Sequence, residues 1–289
     1  VEEATFDSFK GMDIALFAGG SISKDFAPHA VKAGAVVIDN SSAFRMDPEV
    51  PLVVPEVNPQ AILKHKGIIA NPNCSTIIMV MALKPIYDLA KIKRVIVSTY
   101  QAVSGAGKEG IDELDAQVRE HSEGREMTAN ILPSASAEKH YPIAFNLIPQ
   151  IDVFCDNLYT KEEMKMVNET KKIMEDYEMR ITATTIRVPV YRSHSESVNI
   201  ELEKEVDLGA MREALAKFPG VTVQDDPSKQ EYPMPLYTSE KDDVYVGRLR
   251  RDESCEKSYN MWVVGDQIRK GAALNTLQIA ETMIKNGWI

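Results

Sequence analysis

The sequence lacks the marks of membrane, secreted and nucleic-acid-binding proteins. No stretch approaches the ~18 consecutive apolar residues of a membrane span, and the first residues, VEEATFDSF, have neither the basic start nor the apolar core of a signal peptide. Cysteine is scarce. Cys74, Cys155 and Cys255 are odd in number and far apart, which excludes a disulfide framework and fits a reducing, cytoplasmic compartment. Neither they nor the five histidines fall at the short spacings of a ligand pair, so no metal is expected. Basic residues are in deficit, 33 Lys and Arg against 43 Asp and Glu for a net charge of −10, which argues against displacing counterions from nucleic-acid phosphates. What is present is ordinary for a globular chain of 289 residues: 44% hydrophobic and 26% charged, enough for a sizeable core and for two domains.

Residues 14–17 and 35–38 read as parallel strands around a helix over 24–33 that Gly34 ends. Runs at 52–54 and 67–70 are expected to add strands, making the start α/β. Upstream of Ile14 there is no strand with a Gly-rich turn, so a dinucleotide-binding unit is expected to be incomplete. Residues 75–89 are apolar on nearly every side, as suits a buried helix. A β-branched strand follows over 93–101, then a helix over 110–121 with Ile111, Leu114 and Val118 on one stripe. From 122 to 150 periodicity fades and Pro133, Pro142 and Pro149 recur, the pattern of a long loop covering a site or a partner subunit. Thr160 and Glu163 form a capping box for a helix running to about Tyr177. Strands over 181–190, 196–202, 244–250 and 259–264, a helix over 208–218 and a last helix over 266–286 make the second part α+β.

Cys74 stands in Asn71-Pro72-Asn73-Cys74-Ser75-Thr76, directly before the buried helix. Free N–H groups and the helix dipole there favour a thiolate, which makes Cys74 a candidate nucleophile; the plain alternative is a small buried hydrophobe. Cys155 and Cys255 lack such a setting and read as inert.

Together with STYQAVSG at 98–105, IRVPVYRSHSES at 186–197, IDNSSAFR at 38–45, VPEVN at 54–58 and VVGDQIRKGAALN at 263–275, this string closely resembles the aspartate-β-semialdehyde dehydrogenase family over essentially the whole chain. The resemblance implies an α/β fold with an incomplete Rossmann-like NADP-binding domain (1–74 and 266–289) and an α+β catalytic and dimerisation domain (75–265). It implies reversible reductive dephosphorylation of L-aspartyl-4-phosphate to L-aspartate-4-semialdehyde through a Cys thioester, on the route to lysine, threonine and methionine, in a homodimer or homotetramer. Cys74 is then the nucleophile and His194 the acid/base, chemistry for which a thiol and an imidazole are suited. Gln101, Glu162 and Arg187 would bind substrate, Arg187 through a bidentate pair with the α-carboxylate. Arg45, Asn73 and Lys165 would bind phosphate, and Ser104, Gly105 and Gln267 the cofactor. Because Arg187 and His194 are seven apart and of opposite strand parity, the chain is expected to bend near Pro189 for both to face one pocket.

The family's Gly-x-x-Gly-x-x-Gly loop has no counterpart here, so the resemblance implies an N-terminally truncated chain that binds NADP poorly and leaves a sheet edge exposed. Two related readings stand beside it. A glyceraldehyde-3-phosphate type is disfavoured by Gln101 at the position 27 after Cys74, where that type has His; an N-acetylglutamyl-phosphate type is disfavoured by Glu162, Lys165 and the 187–194 string. A noncatalytic interaction module would have no need to keep Cys74, Gln101, Arg187 and His194 together.

Overall fold

In the computed structural model, which describes residues 2–289, the hydrophobic pattern sorts the chain into two sheets. The first has the order β1-β2-β3, all parallel: β1 Ile14–Phe17, β2 Val36–Asp39 and β3 Ile68–Ala70. Ala15 and Val37 on one face pack with Ala27 and Ala30 of α1 (Ser23–Lys32), while Ile38 and Ile69 on the other pack with Ile279 and Met283 of the C-terminal helix. β2 and β3 are covered on both faces, which is why they read as unbroken apolar runs rather than as alternating ones, while Leu16 of β1 is exposed. Gly34, at φ +100°, turns the chain out of α1 in a conformation that a side chain would strain. Residues 52–54 do not make a strand. Pro51 and Pro55 flank the run and remove ladder donors, leaving a bridge between Leu52 and Ala70.

Next comes α2 (Cys74–Leu89), whose continuous burial from Ser75 to Leu83 accounts for its all-round hydrophobicity. It packs on one face of the second sheet and against the helices over Lys161–Met174 and Leu208–Lys217. That sheet and its helices follow in chain order: β4 Ile92–Gln101, α3 Lys108–Ser122, α4 Lys161–Met174, β5 Arg180–Arg187, β6 His194–Leu202, α5 Leu208–Lys217, β7 Val221–Val223, α6 Pro235–Thr238, β8 Val244–Arg251, β9 Ser258–Gly265 and α7 Leu274–Asn286. Its strand order is β5-β4-β6-β9-β8-β7, parallel at β4/β5 and β7/β8 and antiparallel elsewhere, the α+β arrangement the sequence leads one to expect.

Several expected boundaries move for local reasons. The Thr160 capping box is present, but α4 stops at Met174, where Glu175 turns left-handed at φ +51°, short of Tyr177. The last helix does not begin at 266. Asp266 instead accepts from the N–H groups of Ile268 (2.9 Å) and Arg269 (3.2 Å), and a π-helical turn over Arg269–Ala273 leads into α7. β7 and α6, three and four residues long, are too short to show a period in sequence. On α3 the buried stripe is not Ile111, Leu114 and Val118. Val118 is exposed, and the helix buries Glu113 and Gln117 beside Leu114. Those two polar residues pin the long loop: Glu113 accepts from the N–H groups of Asn130 (2.6 Å) and Ile131 (2.9 Å), and Gln117 from those of Ile143 (2.8 Å) and Ala144 (3.0 Å). A segment without secondary structure is thereby ordered by side-chain acceptors on a neighbouring helix. Among the described residues no helix is long and apolar enough to cross a membrane.

Candidate active site

Sheet register brings the pocket together. β4 and β5 run parallel with Gln101 opposite Arg187, and β6 runs antiparallel with Ser195 opposite Tyr100, which sets His194 level with Gln101 on the same face. Arg187 and His194 therefore do not share one bent strand. They flank β4 from its two sides, and the segment between them passes over the end of β4, where the Val103 N–H donates to the Val190 carbonyl (2.8 Å) and Ser193 takes φ +68°. Strand parity across residues 187–194 carries no weight once the two belong to separate strands.

At the same end α2 begins. Asn73 caps it, its Oδ1 accepting from the N–H groups of Ser75 (3.1 Å) and Thr76 (3.2 Å), and half-buried Cys74 is the first helical residue. From α4, buried Glu162 accepts from Asn73 Nδ2 (2.9 Å), Gln101 Nε2 (3.2 Å) and Lys165 Nζ (3.1 Å); Lys165 also donates to Asp152 (3.0 Å). Arg187 Nη1 donates to the Ala102 carbonyl (2.7 Å), while its Nε has no partner among the described residues. A cavity of about 270 Å³ is lined by Gly105, Asp152, Glu162, Lys165 and Arg187. Arg45 does not line it. Its guanidinium is held against the same turn by Asn71 O (2.9 Å), Asn40 O (2.8 Å) and Glu169 (3.2 Å). Ser104 and Gln267 are bonded to each other, and Gln267 Oε1 accepts from the Ser193 N–H (2.9 Å), so both brace the chain that leads into His194.

Electrostatics alter the expected resting state. Burial pushes the Cys74 thiol up to about 12, with Glu162 acting in the same direction and Arg45, Arg187 and the Ser75 N–H opposing it. Cys74 therefore rests as a thiol, not the thiolate that a helix N-terminus alone suggests; desolvation beside a carboxylate outweighs the dipole. Burial also pushes the Glu162 carboxyl up, but Lys165, Asn73 and Gln101 together outweigh it and hold the group ionised below its usual range. His194 is fully buried, and burial, then Arg187, hold its pKa well below the usual imidazole value. The neutral ring accepts from the Ala102 N–H at Nδ1 (3.1 Å), which puts its proton on Nε2, 3.4 Å from the Gln101 amide.

Gly105 sits close against Arg187 and His194. A Cβ there would stand 2.7 Å from Arg187 Nη1 and 3.2 Å from His194 Cε1. Gly105→Ala is expected to displace both side chains and lower kcat/KM by ~100-fold with the fold intact, read by steady-state kinetics and circular dichroism.

Further along β6, Glu196 is fully buried and neither carboxyl oxygen has a partner among the described residues. Burial raises its pKa well above the usual carboxylate range. The folded chain then keeps a proton that the unfolded chain releases above ~4.3, so stability falls as pH rises past that value, by up to ~1.4 kcal/mol per pH unit. Glu196→Gln removes the titration. The variant is expected to be more stable than the parent at pH 8 and no more stable at pH 4, as urea unfolding at the two pH values will show.

Sequence reasoning missed Glu169, Asp152, the Ala102 N–H and Gly271, at which a Cβ would approach the Cys74 Cβ to 3.1 Å. Glu169 alone left a sequence signal, two turns beyond Glu162 on the same helix face. A thiol at a helix N-terminus, acted on by a buried carboxylate and a buried guanidinium that line a cavity, is an arrangement suited to the thiol-dependent aldehyde oxidoreductases.

Comparison with known proteins agrees with that class. Residues 1–65 match the semialdehyde dehydrogenase NAD binding domain and residues 83–270 the semialdehyde dehydrogenase dimerisation domain. Aspartate-semialdehyde dehydrogenase of Aquifex aeolicus is 58% identical over 286 residues, covering 98% of this chain and 82% of the relative, and that of Bacillus subtilis is 54% identical over 287 residues, covering 99% and 83%. A crystal structure of aspartate semialdehyde dehydrogenase II from Vibrio cholerae complexed with ASA superposes with a TM-score of 0.91 at 46% identity, covering 96% of this chain and 81% of that one. The chain belongs to the aspartate-semialdehyde dehydrogenase family, oxidoreductases that act on an aldehyde with phosphate.

Proposed function

We propose that the protein converts L-aspartyl-4-phosphate to L-aspartate-4-semialdehyde, reversibly, with Cys74 as nucleophile and NADP as its nicotinamide cofactor. One observation carries the choice of a free amino acid: the cavity presents a buried guanidinium with an unpartnered Nε and a buried ionised carboxylate, Arg187 and Glu162, complementary to an α-carboxylate and an ammonium.

The residues fit a nicotinamide cofactor. An apolar groove of about 520 Å³ runs from Phe9 and Leu16, beside β1, to Gly19, Ile22 and Phe26 past its carboxyl end, and open α/β sheets take nucleotides at that end. Ser104, Gly105 and Gln267 form the wall beside His194 that the reactive ring would face. When bound, the cofactor supplies the hydride.

This chain's own residues do the rest. Arg187 and Glu162 fix the substrate's two charges; an ammonium on Glu162 pulls the Cys74 pKa down and a carboxylate on Arg187 pushes it up, so the two effects oppose each other. Cys74 Sγ attacks the acyl carbon as the C–O bond to phosphate breaks, and the thiol proton leaves on the phosphate; once hydride has reached the thioester, the C–S bond breaks, the semialdehyde is released and the sulfur takes a proton from solvent. His194 directs Nε2–H toward the oxygen on which charge gathers, a hydrogen-bond donor that needs no proton of its own to leave. Phosphate departs toward Lys165, Asn73 and Arg45, whose guanidinium is anchored by the Asn40 and Asn71 carbonyls and Glu169. We assign residues 1–74 and 266–289 to cofactor binding and 75–265 to catalysis and to a homodimer, in a reducing, cytoplasmic setting that suits three free cysteines.

The test is nicotinamide absorbance with aspartate semialdehyde and NADP. Phosphate-dependent NADPH formation is expected; turnover of N-acetylglutamate semialdehyde in its place would contradict the reading.

A further inference from the structure

We infer that Glu169 is a positioning residue for the reaction, its buried carboxylate holding the backbone that precedes the nucleophile and the Arg45 guanidinium in one arrangement. The inference rests on the reading of Arg45 as part of the phosphate site.

Glu169 is 1% exposed, on the α4 face that also carries Glu162 and Met166. Oε2 accepts from the Asn73 N–H at 2.6 Å, and Oε1 accepts from Arg45 Nη1 at 3.2 Å. Each contact matters by its place. Asn73 is the N-cap of α2, so a carboxylate on its N–H fixes the residue immediately before Cys74. Arg45 spans the ends of β2 and β3 through the Asn40 and Asn71 carbonyls, so the same carboxylate ties the first sheet to α4. Two carboxylates of one helix thus grip a single turn: Glu162 takes the Asn73 side chain and Glu169 its backbone. A buried carboxylate is stable only with such partners, and nothing apolar of its size would orient both a backbone N–H and a guanidinium. Its effect on the reaction passes through Asn73 and Arg45; it touches no reacting atom.

Two variants separate the two contacts. Glu169→Gln keeps one acceptor oxygen for the Asn73 N–H but loses the charge on Arg45. The phosphate KM for aspartate semialdehyde oxidation is expected to rise ~10-fold while kcat changes less than ~3-fold, with Cys74 alkylated by iodoacetamide at the parent rate. Glu169→Ala loses both contacts, and Cys74 is expected to alkylate ~5-fold faster as the capped turn loosens. Arg45→Ala, measured alongside, separates the two readings. If it leaves the phosphate KM unchanged, the phosphate-site reading falls and Glu169 is judged by the alkylation rates of its two variants alone. If it raises that KM while both Glu169 variants keep parental KM and alkylation, the inference is overturned.

Discussion

Cys74→Ser is expected to lower turnover by ~10⁴-fold or more while leaving the fold and the substrate pocket intact. The reason lies in what surrounds the sulfur. Burial and Glu162 hold even a thiol up to about 12, so a serine hydroxyl, intrinsically far less acidic, would never ionise there. The two guanidiniums that oppose them, Arg45 and Arg187, moderate the penalty for a thiolate but cannot rescue an alkoxide. A Cys74→Ser enzyme with appreciable turnover would move the nucleophile elsewhere.

His194→Ala is the other large loss, ~10²- to 10³-fold in kcat, the cost of removing one preorganised donor to an oxyanion. Its pH signature distinguishes a donor from a base that must be deprotonated near neutrality. The folded-state pKa of His194 lies well below 6.5 because the ring is buried beside Arg187, and the Ala102 N–H already occupies Nδ1. The ring is therefore neutral, with its proton on Nε2, throughout the neutral range. The kcat profile of the parent should show no acid limb between pH 6 and 8. A limb with an apparent pKa near 6.5 that disappears in His194→Ala would show that the ring gains and loses a proton during turnover. In that case the Ala102 contact must break on each cycle.

Much of the site could be read from residue strings, but its logic could not. Cys74 at a helix start and the capping box at Thr160 were visible because both are local patterns. The 187–194 string named Arg187 and His194 without showing how they meet, since that depends on β5 and β6 flanking β4, a pairing that no local spacing encodes. The protonation of Cys74 was inverted for a similar reason. A helix dipole is legible in sequence, whereas the burial that chiefly opposes it comes from the packed fold, and the carboxylate that adds to it arrives from α4, 88 positions further along the chain. Glu113 and Gln117 lie outside the expected stripe of Ile111, Leu114 and Val118, and they hold the loop over 122–150, because backbone groups without a ladder need acceptors from somewhere. Asn73, Ser104 and Gln267 carry expected binding roles, yet their hydrogen bonds here cap a helix and brace a loop, structural duties that shape the same pocket.

The central claim is that the reaction passes through an acyl group on Cys74, and one measurement reaches it directly. The purified protein is mixed with aspartyl phosphate in the absence of nicotinamide cofactor, quenched in acid, digested and examined by mass spectrometry. An aspartyl adduct on the peptide carrying Cys74, formed together with a burst of inorganic phosphate and lost on adding NADPH, is the result predicted. Phosphate release and semialdehyde formation with no adduct on that peptide, or with the adduct on another residue, would contradict the account.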